Sequence, residues 1–227
     1  MAGCWPGGHS PSYPKSATLD TEVKLDMAKY SIVLVGVVIG LALTLATGWL
    51  FLDQNYTYKG VLIDPPAPAA DFALSDQYGQ QFRLSEQRGE VVLIFFGYTY
   101  CPDVCPVTLA EYKQIKASLD DKAERVRFVF ITVDPERDTR ERVGEFVANF
   151  DPGIIGLTGD PATLETIWKD YGVYAEQHDL GSDAGYLFDH SARIYLIDPQ
   201  GNWRLNYAYG MDANGIVQDI LHLLREG

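Results

Sequence analysis

The stretch VVLIFFGYTYCPDVCP at residues 91–106 decides the fold that we expect for this chain. Its first part, residues 91–96, is a continuous apolar run rich in β-branched and aromatic side chains, which is typical of a strand buried on both faces. Cys101 and Cys105 follow, and each is succeeded by a proline. We therefore expect a central strand that ends at a pair of thiols, which could form a disulfide, a redox couple or part of a metal site.

The sequence on either side of this strand predicts an α/β domain. A β-hairpin that turns at residues 76–79 is expected before the strand. The elements expected after the cysteines are a helix at 107–119, a strand at 127–133, helices at 139–150 and 161–171, a strand hairpin at 191–197 and 203–209, and a closing helix at 212–224. A strand–helix–strand order favours parallel pairing. The pattern predicts an α/β fold, a thioredoxin-like sandwich with an added N-terminal β-hairpin, preceded by one transmembrane helix.

The charge of the chain excludes one class of partner. The 227 residues carry a formal net charge of −13, and 47% of them are hydrophobic, which is enough for a sizeable core. Contact with phosphate groups requires a basic patch, and an acidic body of this kind offers none in its composition. We therefore expect no nucleic-acid partner.

Residues 30–52 form an apolar run without a charged side chain. A helix of this length covers roughly 30 Å, which is the thickness of a bilayer core. We expect a retained membrane anchor, and the alternative is a signal peptide cleaved near Gly48. Lysines are more frequent before the run than directly after it. The positive-inside rule then places the N-terminus in the cytoplasm and the acidic body on the periplasmic or extracytoplasmic side of the inner membrane.

The expected organisation has four parts. Residues 1–29, which are rich in Pro, Gly, Ser and charge, are expected to be a disordered cytoplasmic tail. Residues 30–52 are the anchor, and residues 53–70 are an extended linker stiffened by prolines. Residues 71–227 form the thioredoxin-like domain.

The predicted position of the two cysteines favours reactive thiols. If the helix begins near Pro102 or Pro106, both cysteines lie at its N-terminus, where unpaired amides and the helix dipole lower a thiol pKa from about 8.5. Side chains four residues apart on a helix lie roughly 5–6 Å apart, a distance that permits a disulfide or joint ligation of a metal. A structural disulfide would close a very short loop and remove little chain entropy.

Histidine is the most natural third ligand, because two thiolates alone leave a soft metal under-coordinated. His190 directly precedes an apolar strand, in a loop expected beside the cysteines. The other histidines fit less well: His9 is in the tail, His178 is in a polar stretch and expected to be solvated, and His222 is expected at the surface or boundary of the last helix. We expect His190 to face the cysteines, and the alternative is a histidine that only hydrogen-bonds within its loop.

The outer domain resembles the Sco family, also called SenC, of membrane-anchored copper proteins that help to assemble cytochrome c oxidase. The matching motifs are FFGYTYCPDVCP at 95–106, VDPERDT at 133–139, GLTGD at 156–160 and DHSARIYLIDPQG at 189–201. Tyr100 departs from the family pattern, in which many relatives have histidine at this position. The resemblance implies one copper per chain, as Cu(I) or Cu(II), with Cys101, Cys105 and His190 as its ligands. Two thiolates and an imidazole suit that metal.

Three aspartates lie near these motifs. Asp103, between the cysteines, is expected to be exposed and to contact a partner. Asp134 ends the second central strand near the same site, although Asp-Pro is also a common turn. Asp189 is expected either to orient His190 or to cap the local backbone.

The resemblance implies a copper chaperone that delivers copper to the CuA site of cytochrome c oxidase subunit II, without enzymatic turnover. The alternative is a thiol–disulfide oxidoreductase that keeps the CuA cysteines reduced, a role that does not require His190. A peroxidase-like enzyme of the same fold is a third possibility. Another copper donor or a thiol reductase is a further candidate partner.

Overall fold

The computed structural model describes residue 3 and residues 19–53, 56–179, 181 and 185–226. The chain divides into two compact units, Met1–Thr57 and Tyr58–Gly227. In the first unit, helix α1 extends over Leu19–Asp53. The predicted disordered tail is therefore wrong for residues 19–29, which lack Gly and Pro and continue the helix. Residues 1–18 other than residue 3 lie outside the described part of the chain.

Helix α1 contains the predicted membrane-spanning segment. Its stretch Tyr30–Gly48 is long and apolar enough to cross a bilayer, by length and composition. The large hydrophobic side chains along this stretch are exposed. An apolar surface of this kind is what a lipid-facing helix presents. The membrane span stays a prediction from composition.

The second unit is built on an eight-stranded mixed sheet with the strand order β1-β10-β9-β4-β5-β6-β2-β3. Its strands are β1 Val61–Pro68, β2 Ala73–Asp76, β3 Gln81–Arg83, β4 Val91–Gly97, β5 Val126–Thr132, β6 Ile155–Thr158, β9 Arg193–Ile197 and β10 Asn202–Ala208. The helices are α2 Val104–Ser118, α3 Arg140–Ala148, α4 Pro161–Asp170 and α5 Ala213–Glu226. Of two short 3₁₀ helices, Leu84–Gln87 connects β3 to β4, and Asp120–Arg125 connects α2 to β5.

Strand β4 is the centre of this sheet, as the opening stretch of sequence predicts. All of its residues are buried. It pairs in parallel with β5 and antiparallel with β9. Burial on both faces explains why the run is continuously apolar and does not alternate. The strand places its carboxyl end, and the loop with the cysteines, in the middle of one edge of the sheet.

The predicted linker at residues 53–70 is only partly a linker. Strand β1 pairs antiparallel with β10, so residues 61–68 belong to the domain. Prolines are tolerated here because β1 is an edge strand, whose outer amides need no partner in the sheet. The carboxylate of Asp219, which is fully buried in α5, also accepts hydrogen bonds from the amides of Lys59 and Gly60. These contacts fix the start of the domain near Tyr58.

A second, two-stranded sheet was not predicted. Strands β7 Ala175–Asp179 and β8 Tyr186–His190 form an antiparallel hairpin in which Ala175 pairs with His190. Most β7 side chains are exposed and polar, so the sequence shows no alternation of buried and exposed positions. His190 is therefore the last residue of a strand and does not lie in a free loop.

The predicted surface position of His222 is wrong. Its side chain is only 3% exposed, and its Nε2 lies 3.2 Å from a carboxylate oxygen of Glu226. The ring of Tyr58 packs against it edge to face. The histidine is buried because α5 packs against the start of the domain. The prediction placed that segment in a linker outside the domain.

Candidate metal centre

The end of β4 and the start of α2 place both cysteines. Cys105 lies in the first turn of α2, and Cys101 lies in the turn before the helix, where its amide donates to the Tyr98 carbonyl at 3.2 Å. The Cys105 amide faces the Cys101 Sγ at 3.4 Å. A Cβ atom at Gly97 would lie 2.7 Å from the Cys105 Sγ, so glycine lets this thiol approach the end of the strand.

His190 reaches the cysteines from the separate β7–β8 hairpin. Its Nε2 lies 3.4 Å from the Cys105 Sγ. The rings of Phe95 and Tyr98 pack edge to face against the imidazole, at centroid distances of 6.0 and 5.7 Å. This packing holds the ring with Nε2 towards the thiols. Its buried Nδ1 has no hydrogen-bond partner among the described residues.

The three side chains fit a single metal ion. The ligand atoms of Cys101, Cys105 and His190 all lie within 4.8 Å of one another. Metal–sulfur and metal–nitrogen bonds of about 2.0–2.3 Å place three ligands of one ion roughly 3.6–4 Å apart in a trigonal plane. Small side-chain rotations therefore suffice to close the set around an ion. Two sulfurs and one imidazole are a soft donor set.

Access to this site is at Cys101 and His190 and not at Cys105. The Cys105 side chain is fully buried, whereas Cys101 is 8% exposed. His190 is half-buried, so a molecule that exchanges a ligand with the site must approach Cys101 or His190 before Cys105.

The two thiols have opposite pKa shifts. The pKa of Cys101 is lowered to about 4, chiefly because the Cys105 thiol donates a hydrogen bond to its sulfur, with His190 and the amides of Asp103 and Cys105 also contributing. Burial raises the pKa of Cys105, and the neighbouring Cys101 thiolate raises it further. The predicted reactive thiolate is thus Cys101, stabilised in part by amides at the start of α2.

Asp134 is linked to the hairpin that carries His190. Its carboxylate is 1% exposed, accepts a 2.9 Å hydrogen bond from the Tyr186 hydroxyl, and pairs with Arg137. Arg137 in turn donates to the Tyr186 carbonyl at 2.9 Å. Since Tyr186 begins β8 and His190 ends it, Asp134 helps to hold the strand that presents the histidine.

The predicted orientation of His190 by Asp189 is wrong. The Asp189 side chain is 74% exposed and lies 3.1 Å from Nε2 of His178 on the neighbouring strand. Successive side chains of a strand point to opposite faces, so Asp189 and His190 diverge. Asp103 is exposed, as predicted, and its side chain does not cap α2.

Asp138, a fully buried carboxylate behind the site, was not predicted from the sequence. It accepts hydrogen bonds from the Thr99 amide at 3.0 Å and from the hydroxyls of Thr99 and Thr132, both at 2.6 Å. Burial raises the pKa of this carboxyl group. Asp138 therefore fastens the loop that leads to Cys101 onto the end of β5. Thr99, just after β4, and Thr132, at the end of β5, were the feature of the sequence that could have indicated this carboxylate.

Comparison with known proteins identifies the family. Residues 63–225 match the SCO1/SenC family model. The chain belongs to the SCO1/SenC family. The mitochondrial protein SCO2 homolog of Mus musculus is 38% identical over 152 residues, which cover 66% of this chain and 60% of the mouse protein. The SCO2-like protein RP587 of Rickettsia prowazekii is 37% identical over 148 residues, covering 65% of this chain and 72% of that protein.

Solved structures of SCO1/SenC proteins have the same fold. Bradyrhizobium japonicum ScoI with copper bound is 36% identical, with a TM-score of 0.64 over 69% of this chain and 99% of that one. The solution structure of apo Sco1 from Thermus thermophilus is 34% identical, with a TM-score of 0.67 over 74% of this chain and 98% of that one. These similarities confirm the predicted thioredoxin-like fold.

Proposed function

We propose that this protein binds one copper ion through Cys101, Cys105 and His190. The observation that supports this most strongly is the convergence of two thiols and one imidazole, within 4.8 Å, from two separate elements of the fold. A disulfide or redox pair would need only the cysteines. Thiolates suit Cu(I), and the added imidazole suits both oxidation states. The copper-bound relative from Bradyrhizobium japonicum supports the same choice of metal.

We further propose that the protein is a chaperone that passes this copper to the CuA site of cytochrome c oxidase subunit II. The partly exposed Cys101 supports a transfer by ligand exchange. An incoming thiolate of the acceptor would bind copper beside Cys101 and displace it, and further ligands of the acceptor would then replace the half-buried His190 and the buried Cys105. No net chemistry beyond the exchange of ligands is required.

The proposed location follows from α1. An anchor in the inner membrane, with the N-terminus in the cytoplasm, would place the copper-binding domain on the periplasmic or extracytoplasmic side. Another copper donor or a thiol reductase would have to load or reduce the site there.

A thiol–disulfide oxidoreductase that keeps the CuA cysteines reduced is the second candidate. The observation that favours it is the low pKa of Cys101, about 4, beside a second thiol. A thiolate of this kind attacks disulfides and is also a good leaving group.

The substitution His190→Ala separates the two functions. Copper affinity should fall by about 100-fold or more, because losing a direct ligand costs at least as much as losing the groups that orient one. The rate of disulfide reduction should change little, because the hydrogen bond from Cys105, which is the chief cause of the low pKa of Cys101, remains. The control is His178→Ala, which removes an exposed histidine from the other strand of the same hairpin.

Both variants are tested as full-length protein, by copper titration with and without reductant, by CuA content of the oxidase, and by disulfide reduction rate. Loss of copper binding and of CuA in His190→Ala alone supports the chaperone. If His190→Ala binds copper like His178→Ala and still matures the oxidase, the proposed ligand set is wrong. If the CuA content of the oxidase follows the disulfide reduction rate and not the copper affinity, the oxidoreductase function is correct.

A further inference from the structure

An ordered cluster of aromatic and cationic side chains lies next to Cys101. The ring of Tyr100, which is 48% exposed, lies close to two guanidinium groups. The Cζ of Arg137 is 4.7 Å from the ring centroid, and the Cζ of Arg142 is 4.8 Å from it. We call Tyr100, Arg137 and Arg142 the rim. Since Cys101 directly follows Tyr100 and is the more exposed of the two thiols, the rim borders the Cys101 side of the entrance to the metal site.

Contacts behind the rim fix its side chains in place. Arg137 pairs with the buried Asp134, and its Cζ lies 3.6 Å from the centroid of the Tyr186 ring. The Nε of Arg142 donates to the Thr99 hydroxyl at 3.3 Å. Side chains that are already ordered lose less conformational entropy when a partner binds.

The residue types of the rim are those that dominate binding energies at protein interfaces. Tyrosine and arginine are enriched among residues whose truncation costs the most affinity. A guanidinium that stacks on an aromatic ring keeps its N–H groups free for a carboxylate. The rim therefore has the composition of an interface centre, although it lies beside a metal site and not in a separate groove.

The charges at the entrance define what kind of partner fits. The whole chain has a net charge of −13, but Arg142 is exposed and forms no ion pair with a carboxylate in the described part of the chain. The charge of Arg137 is offset by Asp134. Two residues after Cys101 in the sequence, the exposed Asp103 contributes a carboxylate. A partner that matches this pattern presents a carboxylate opposite Arg142 and a cation opposite Asp103, and such pairs fix orientation.

We propose that the rim is the surface on which the copper acceptor docks, and that it fits an acceptor with a carboxylate beside its own metal-binding cysteines. This inference rests on the proposed chaperone function. The carboxylate binds Arg142, the Tyr100 ring packs against the acceptor, and Cys101 then faces the acceptor thiols. Exchange of the first ligand takes place at that point.

The test compares two charge reversals in the full-length protein in detergent micelles. Arg142→Glu changes the rim, and Lys122→Glu makes the same change in net charge on an exposed side chain before β5, at the opposite end of the sheet. Copper transfer from each loaded variant to the purified CuA domain of subunit II is followed by its absorbance. Copper titration of each variant gives the loaded fraction used to normalise the rates.

Arg142→Glu should slow transfer about tenfold at low ionic strength, and the difference should shrink as salt is added. Lys122→Glu should transfer at the parental rate. Arg142→Gln, which removes the charge without reversing it, should give an intermediate rate. Equal rates in Arg142→Glu and Lys122→Glu would overturn the docking surface, and faster transfer by Arg142→Glu would show a cationic partner surface and also overturn it. If the parent protein itself transfers no copper, it is the chaperone function that fails.

Discussion

The pKa values of Cys101 and Cys105 are shifted in opposite directions although only three residues separate them. The pKa of Cys101 is lowered to about 4, and that of Cys105 is raised by burial. At neutral pH the pair therefore carries one thiolate and one thiol. A metal needs both sulfurs as thiolates. Its binding must displace the proton that Cys105 retains.

We predict that copper binding at about pH 8 releases about one proton per ion. Because the folded-state pKa of Cys105 is raised, its deprotonation becomes easier as pH rises, so copper affinity should increase with pH. Cys101 adds no pH dependence there, since it is already ionised. Calorimetry in buffers of different ionisation enthalpy measures the release. Cys105→Ser, which has no such proton to lose, should not show it, and a parent protein that releases none would contradict the assignment.

Asp138 affects the site through the loop that it holds. We predict that Asp138→Asn destabilises the fold by about 1–3 kcal/mol, because buried donors lose their acceptor. Its control, Asp219→Asn, removes an equally buried carboxylate that binds the start of the domain. Denaturation should show similar losses for both variants. Copper titration should show weaker binding only for Asp138→Asn, and equal affinities would mean that Asp138 only supports the fold.

At the scale of elements, the metal centre joins two pieces of the fold that are not paired with each other. Both cysteines belong to the junction of β4 and α2, whereas His190 belongs to the β7–β8 hairpin, a sheet of its own. Near its turn, where β8 begins, the hairpin is held by the hydrogen bonds of Tyr186 with Asp134 and Arg137. The position of the histidine therefore depends on contacts several residues away.

We predict that Tyr186→Phe weakens copper binding up to about tenfold and lowers the free energy of unfolding by no more than about 3 kcal/mol. Its hydroxyl bonds to a carboxylate, and a bond of this type contributes about 1.5–3 kcal/mol, part of which positions His190. Tyr174→Phe is the control, since its hydroxyl bonds to the exposed Glu176 at the base of the same hairpin. Copper titration and thermal denaturation of both variants check this. An unchanged affinity in Tyr186→Phe would show that the hairpin is held without this bond.

Local sequence patterns predicted most of the buried elements, although not the short strand β6, and missed the exposed ones. The apolar run of β4 and the helical spacing of α2 were sufficient for the central strand and for the position of the cysteines. The hairpin was missed because β7 has polar side chains on both faces. Strand β1 was missed because its prolines indicate a linker unless the partner strand is known. The roles of Asp138 and Asp189 depend on where side chains point, which spacing alone cannot give.

At the scale of the whole molecule, the chain combines an apolar helix with an acidic domain. The stretch Tyr30–Gly48 fits a membrane span by length and composition. If it is an anchor, the N-terminal residues stay attached to the mature protein.

We predict that a reporter enzyme fused after Gly60 is active only on the extracytoplasmic side, because lysines are concentrated before the apolar run. Intact-mass measurement of the membrane fraction should find the N-terminal segment retained. A reporter fused before residue 30 should give the opposite result. Cleavage near Gly48 would replace the anchor with a signal peptide.

The unequal burial of the two thiols also determines how the protein withstands peroxide. A sulfenic acid forms on the thiolate that peroxide can reach, which is Cys101. The protected Cys105 thiol then condenses with it, releasing water and leaving a disulfide that a thiol reductant can reverse. Mass spectrometry after peroxide treatment should therefore find the loss of two hydrogens in the parent, and sulfinic acid on Cys101 in Cys105→Ser. Sulfinic acid in both proteins would contradict this. Because the second sulfur is buried, oxidation of Cys101 by peroxide remains reversible by a thiol reductant.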